Sequence, residues 1–220
     1  MGVLIMKPML LLMALLMPVA ANAAPASKVA WTPERLSFVK NGNPDKGKAL
    51  AASCAACHGD QGVSTNPAWP SLAAQNANYL YKQLRDYAGG ERDHPLMTPI
   101  AQSLSEQDSA DLAAWFSALP QPENPAVDTH NLDRAEKMVS EGDGKRILPP
   151  CFVCHGARGQ GEKMDIPALA GQQADYFNQT LLDYKSGQRH NDIYSRMRLI
   201  AQQLSDEEIK ELAQYYQQLR

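Results

Sequence analysis

Cysteine is scarce in this 220-residue chain, with four in all, and long apolar runs are scarcer still. Past residue 19 nothing stays apolar over the roughly 20 residues that a helix needs to cross a bilayer. No stretch alternates apolar and polar residues between hairpin turns, so the usual mark of a half-buried strand is missing. A surplus of positive charge is missing too: 21 Lys and Arg stand against 24 Asp and Glu, a formal net charge of −3. That balance argues against nucleic acid, or an anionic membrane surface, as the main partner.

The one apolar run opens the chain. Lys7 gives it a basic start, residues 8–19 are almost wholly apolar, and Ala21-Asn22-Ala23 supplies a small-x-small cleavage pattern. Residues 1–23 therefore read as a secretory signal, with the mature chain beginning near Ala24. The run is shorter than a membrane span, which disfavours an uncleaved anchor. Export points to the periplasm. Loss of Lys7 with the leader takes the net charge to −4, and the leader also removes Met1, Met6, Met9, Met13 and Met17. Four methionines remain: Met97, Met138, Met164 and Met197.

All four cysteines fall in two pentapeptides, Cys54-Ala55-Ala56-Cys57-His58 and Cys151-Phe152-Val153-Cys154-His155, each followed by glycine. This is the attachment signal of a c-type haem. Thiols three positions apart reach the two vinyl groups on one porphyrin edge and form thioethers, and the next residue, histidine, lies under the iron. Cys54, Cys57, Cys151 and Cys154 are thus the candidate attachment residues, and His58 and His155 the candidate iron ligands. Zinc knuckles and redox dithiols are the other uses of paired cysteines. Two complete copies with no cysteine left over favour two covalently bound haem c groups.

The chain repeats itself around these motifs. From Cys57 and Cys154 the copies align at an offset of 97: Pro70-Ser71-Leu72-Ala73 with Pro167-Ala168-Leu169-Ala170, Tyr79 with Tyr176, Leu84 with Leu181, Asp86-Tyr87 with Asp183-Tyr184, Gly90 with Gly187 and Arg92 with Arg189. The offset then becomes 100, with Met97 opposite Met197 and Leu104-Ser105 opposite Leu204-Ser205, so three extra residues precede the second methionine. Each copy reads as helix. Asn43-Pro44-Asp45 is a cap, an N1 proline and an acidic first turn opening a helix toward Cys54; its counterpart spans about residues 132–141. A middle helix is predicted over 77–88 with Leu80, Leu84 and Tyr87 on one face, repeated by Phe177, Leu181 and Tyr184 before Gly187. Ser105 to Asp108 and Ser205 to Glu208 are capping-box starts for the last helices, which carry Leu112, Trp115, Phe116 and Leu119 or Leu212, Tyr215, Tyr216 and Leu219.

Residues 120–125 are dense in proline and polar, the composition of a semi-rigid linker. The expected organisation is a signal peptide at 1–23, an N-terminal domain at 24–120, a linker at 121–131 and a C-terminal domain at 132–220. The fold class is all-α, two tandem domains related by duplication, each wrapped around one haem. Domains this small, with short apolar helix faces, need the haem to complete their cores, so apo-protein should fold poorly.

What fills the position opposite each histidine decides whether such an iron binds ligands, activates peroxide or passes electrons. Met97 is the one methionine between Ala24 and Pro120, placed between the middle and last helices where a loop can swing its thioether to the face opposite His58. In the second copy Met138 precedes the haem motif and Met164 follows His155 closely, whereas Met197 matches Met97. Core packing is the alternative use of both methionines. Met/His ligation closes the iron, favours the ferrous state and keeps one geometry in both valences, which suits a carrier and not a catalyst.

These motifs resemble those of the dihaem class I cytochromes c of the cytochrome c4 family. The resemblance spans the mature chain and rests on the two attachment motifs, the two Pro-x-Leu segments, the two distal methionines, Gly187-Gln188-Arg189 and the closing Leu204 to Ile209 segment. It implies that the carbonyls of Pro70 and Pro167 accept hydrogen bonds from His58 and His155 and so orient them. It also implies a non-enzymatic periplasmic electron carrier between respiratory complexes, such as a quinol-oxidising complex and a terminal oxidase, compatible with loose membrane association. The rival classes are a cytochrome subunit of a dehydrogenase or oxidase complex and a dihaem redox enzyme. The shortened segment Glu91 to Leu96 sets the two distal loops apart. Arg92 and Arg189 read as repeated surface arginines, with propionate neutralisation as the alternative. His94 and His190 fit the duplication less well than the methionines as ligands. His130 reads as solvated, and the tyrosines and Trp115 as haem-pocket core. Duplicated domains on a short linker are expected to pack with pseudo-twofold symmetry, bringing the haems close across the joint.

Overall fold

The computed structural model describes residues 26–122, 132–162 and 164–219. The leader with its cleavage site, His130 and most of the proline-rich linker lie outside the described residues. Among the described residues the regular structure is helical, with two isolated β-bridges, Asp143 to Leu148 and Glu162 to Ile166, as the lack of strand patterning predicts.

The first half comprises α1 (Pro33–Lys40), α2 (Pro44–Ala51), α3 (Ala55–His58), α4 (Ala77–Gly89), α5 (Met97–Gln102) and α6 (Glu106–Ala118). The second repeats five of them as α7 (Asp133–Ser140), α8 (Phe152–His155), α9 (Ala174–Ser186), α10 (Arg196–Gln202) and α11 (Asp206–Gln218). The signals for starting and stopping act as expected. Asn43 Oδ1 accepts the N–H groups of Asp45 and Lys46 at 3.0 and 3.1 Å, opening α2. Both last helices begin in a full capping box, Ser105 with Asp108 and Ser205 with Glu208. The middle helices stop on Gly90 and Gly187 in the left-handed conformation. Helix α1, capped by the Thr32 hydroxyl on the Arg35 N–H at 3.2 Å, has no counterpart among the described residues. The methionine segments differ from expectation: Met97 and Met197 stand in the first turns of short helices, not in loops. At six and seven residues, α5 and α10 are too short to display a helical period.

Each half packs its last helix against the helix that precedes its pentapeptide and against its middle helix, α6 on α2 and α4, α11 on α7 and α9. Leu80, Tyr81, Leu112 and Phe116 anchor one core; Met138, Phe177, Leu181, Leu212 and Tyr216 anchor the other. Burial of each such side chain is worth about 1.5–3 kcal/mol. Phe177 stacks on Tyr216 with ring centroids 5.4 Å apart.

The halves join through polar groups in a reciprocal pattern. The Gln75 side chain brackets the Ala168 backbone, Nε2 donating to its carbonyl at 2.9 Å and Oε1 accepting its N–H at 2.8 Å. Gln172, at the same offset of 97, brackets the Ser71 backbone at 3.0 and 2.9 Å. Arg92 donates to the Tyr176 hydroxyl at 3.2 Å, and Arg189 to the Tyr79 hydroxyl at 3.0 Å. Reading Arg92 and Arg189 as surface arginines is therefore corrected. Each lies over a tyrosine ring of its own half, Tyr87 or Tyr184, both reach Gln83 Oε1, and Arg189 is buried. One flank breaks the symmetry. Lys82, Asp86 and Asn191 form a buried cluster there, with a 2.5 Å ion pair and a 2.6 Å bond from Lys82 to the Asn191 carbonyl.

Candidate haem sites

Each pentapeptide folds into a single helical turn. The His58 N–H reaches the Cys54 carbonyl at 2.9 Å, and that of His155 reaches Cys151 at 3.0 Å. Positions i, i+3 and i+4 share one helix face, so two sulfurs and an imidazole present together. The glycine after each histidine has positive φ, +79° at Gly59 and +83° at Gly156, and a Cβ on Gly59 would run into the Val63 carbonyl. Only glycine takes this turn without strain. The chain then loops round to the proline segment, which two bonds pin in each half: Leu72 and Ala73 to the Gly62 carbonyl at 2.7 and 3.0 Å, Leu169 and Ala170 to the Gly159 carbonyl at 2.7 and 3.0 Å.

The result is a buried histidine with one nitrogen committed. His58 Nδ1 lies 2.8 Å from the Pro70 carbonyl and His155 Nδ1 lies 3.0 Å from the Pro167 carbonyl. A carbonyl only accepts, so Nδ1 carries the hydrogen and Nε2 presents a bare lone pair. Burial pushes both imidazoles below their ordinary pKa, against the opposing pull of the proline carbonyls, and both are neutral near pH 7. The cysteines are half-buried and unbridged. Burial raises the Cys54 thiol and takes that of Cys151 to about 11, the reverse of the acidic thiol that a redox dithiol needs. Among the described residues no three His, Cys, Asp or Glu side chains gather as a metal site, so the set a zinc knuckle requires is not assembled there.

The structure sorts the remaining sulfurs. Met138 is 4% exposed in the core of the second half, and Met164 sits in a positive-φ turn at φ 67°. Met97 and Met197 are half-buried at the starts of equivalent helices, and Met197 packs at the margin of the same core as Cys151. His94 is exposed, its Nδ1 accepting the N–H groups of Leu96 and Met97 at 3.2 and 3.3 Å, so it caps the helix that carries Met97. His190 Nδ1 lies 3.3 Å from the Gln188 carbonyl.

Two c-type haems fit what is here: paired half-buried thiols, a neutral imidazole whose Nε2 carries no hydrogen, and a buried donor, Arg189 Nη1, with no partner among the described residues, the kind of group a propionate carboxylate would satisfy. The reading of the residues missed the joint glutamines. Their signal was present, since Gln75 and Gln172 align at the same offset as the cysteines.

Comparison with known proteins agrees. The Cytochrome c family model matches residues 44–120 and 142–220. A cytochrome c4 of Thiocapsa roseopersicina is 41% identical over 81% of this chain and 93% of its own length. A thiosulfate dehydrogenase electron acceptor of Stutzerimonas stutzeri is 34% identical over 92% of this chain and 90% of its own. The crystal structure of reduced cytochrome c4 from Pseudomonas stutzeri superposes with a TM-score of 0.78 at 35% identity, over 81% of this chain and 100% of that one.

Proposed function

The chain belongs to the cytochrome c family, as a dihaem electron-transfer protein of the cytochrome c4 kind, and from that premise we propose that it shuttles electrons in the periplasm between respiratory complexes, toward a terminal oxidase. Each haem, when bound, supplies a one-electron Fe(III)/Fe(II) couple. Cys54 and Cys57 hold one covalently, Cys151 and Cys154 the other. His58 and His155 offer Nε2 as proximal ligands, and the Pro70 and Pro167 carbonyls fix their tautomer and raise their basicity. Met97 and Met197 would supply the second protein ligand to each iron, which suits electron transfer and not ligand binding.

The observation that carries this reading is the repeated bond from histidine Nδ1 to a proline carbonyl, present at both motifs. Export is supported by the leader at 1–23, and no helix among the described residues is long and apolar enough to cross a membrane. A relative is a thiosulfate dehydrogenase electron acceptor, so that enzyme belongs beside quinol-oxidising complexes among the candidate donors. The test is direct: mix the purified oxidised holoprotein with each donor, follow haem reduction optically, then add a terminal oxidase. Turnover of the pair through the holoprotein supports the shuttle. No reoxidation by any oxidase, with co-purification in a dehydrogenase complex, would instead make it a complex subunit.

A further inference from the structure

The carbonyl that His58 Nδ1 meets and the N–H that Gln172 meets belong to one peptide group, the Pro70–Ser71 bond. His58 Nδ1 is 2.8 Å from its oxygen, and its N–H donates to Gln172 Oε1 at 2.9 Å. The same holds in reverse. His155 Nδ1 is 3.0 Å from the oxygen of the Pro167–Ala168 peptide, whose N–H donates to Gln75 Oε1 at 2.8 Å. Each glutamine comes from the opposite half of the molecule.

The amide orientations are settled by their partners. Each Oε1 accepts a second N–H, from Asn76 at 2.9 Å and from Gln173 at 2.9 Å, while each Nε2 faces a carbonyl. A flipped amide would set donors against donors. Gln75 and Gln172 are both buried.

A peptide is a conjugated unit: accepting from its N–H pushes electron density onto its oxygen. Hydrogen bonds chained in this way strengthen one another by roughly 10–30% per bond in a low-dielectric interior. A stronger acceptor at Nδ1 makes the imidazole more basic toward whatever its Nε2 binds. We propose that Gln75 and Gln172 are cross-domain positioning residues, each tuning the reduction potential of the haem in the other half through the peptide that orients its axial histidine. Gln172 acts on the His58 haem and Gln75 on the His155 haem. Both hold the potential down, because a more basic histidine favours ferric iron. Ser71 is 3% exposed, so no water replaces its lost partner, whereas Ala168 is half-buried and open to rescue. The Gln172 relay is therefore the stronger.

The inference rests on His58 and His155 as proximal ligands, and the test keeps both residues. In the holoprotein, Gln172→Met replaces the amide with an apolar chain of similar length. The potential of each haem is read by redox titration with NMR, each haem's methyl signals assigned to its half. Gln172→Met should shift the Fe(III)/Fe(II) equilibrium of the His58 haem about threefold toward ferrous, about 28 mV at 59 mV per tenfold, and leave the His155 haem in place. Gln75→Met should move the His155 haem instead, and by less. The His58 Nδ1–H proton should move upfield in Gln172→Met as its bond weakens. Gln172→Glu keeps an acceptor for the Ser71 N–H and should return the gap between the two potentials toward wild type, whereas mere loosening of the joint would move it as Gln172→Met does. Movement of the variant's own haem, equal movement of both, or no movement with the His/Met spectrum intact would overturn the relay alone. A wild-type spectrum without His/Met signatures would overturn the ligation reading beneath it.

Discussion

Between His58 and Pro70 and between His155 and Pro167 the two halves use the same bond, at 2.8 and 3.0 Å, whereas their routes from arginine to methionine share neither length nor cap. In the first half His94 takes the N–H groups that open α5. In the second, three more residues form a 3-10 turn at Ile193–Ser195, with Tyr194 at φ 58°, and Asp192 accepts both the backbone N–H and the Nε of Arg198 at 3.0 and 2.7 Å. The proximal side must hold a backbone carbonyl within hydrogen-bond reach of a ring nitrogen, so an inserted residue breaks it. The distal side has to deliver one side chain, and the entropy of loop closure grows slowly with length. Conserved geometry and tolerated insertion thus mark what each side has to do.

Removing one haem separates the two halves most sharply. Replacing Cys54 and Cys57 with serine should halve the haem retained after acid-acetone extraction and leave the second half's spectrum in place; loss of both haems would show that the halves do not load independently. Next in size is the asymmetric flank of the joint. Lys82→Met strands Asp86 in the interior and should cost about 3–5 kcal/mol in holoprotein unfolding, whereas Gln179→Met, the equivalent exchange in the second half, should cost under about 0.5 kcal/mol. Met97→Ala and Met197→Ala should each open one iron to carbon monoxide and lower its potential. Met197→Ala should cost about 1–2 kcal/mol more stability, since only Met197 packs on a core cluster. Equal costs would remove that distinction.

The smallest effect concerns the capping boxes. Asp108 caps α6 from an exposed position, while Glu208 caps α11 and also receives Arg146 through bonds of 2.8 and 2.9 Å. Arg146 first, and the Ser205 N–H after it, hold the Glu208 carboxyl below its ordinary pKa of 4.5, outweighing burial. A depressed carboxylate stabilises the fold above pH 4.5, and that contribution disappears as pH falls through the lower folded value. Glu208→Gln should therefore cost about 1–2 kcal/mol at pH 7 and progressively less below pH 4.5, in thermal melts across pH.

Much of this molecule was legible in the residues. The attachment motifs, the duplication, the middle and last helices and their caps depend on neighbours within a few positions. What could not be read depends on distance. Arg92 and Arg189 look like surface residues until Tyr176 and Tyr79 are brought to them, 84 and 110 positions away along the chain. Gln75 and Gln172 recur at the offset of the duplication, but the backbones they bracket, at Ala168 and Ser71, lie 93 and 101 positions away. α5 and α10 look like loops in the sequence because six or seven residues cannot show a period.

Two haem-bearing halves, tied by the reciprocal joint, should carry electrons as one unit. Stopped-flow mixing of the oxidised holoprotein with substoichiometric reductant tests it. Electrons should redistribute between the two haems at a rate that does not change with protein concentration. A rate that rises in proportion to concentration would mean that the halves exchange only by collision between molecules, and would contradict the account.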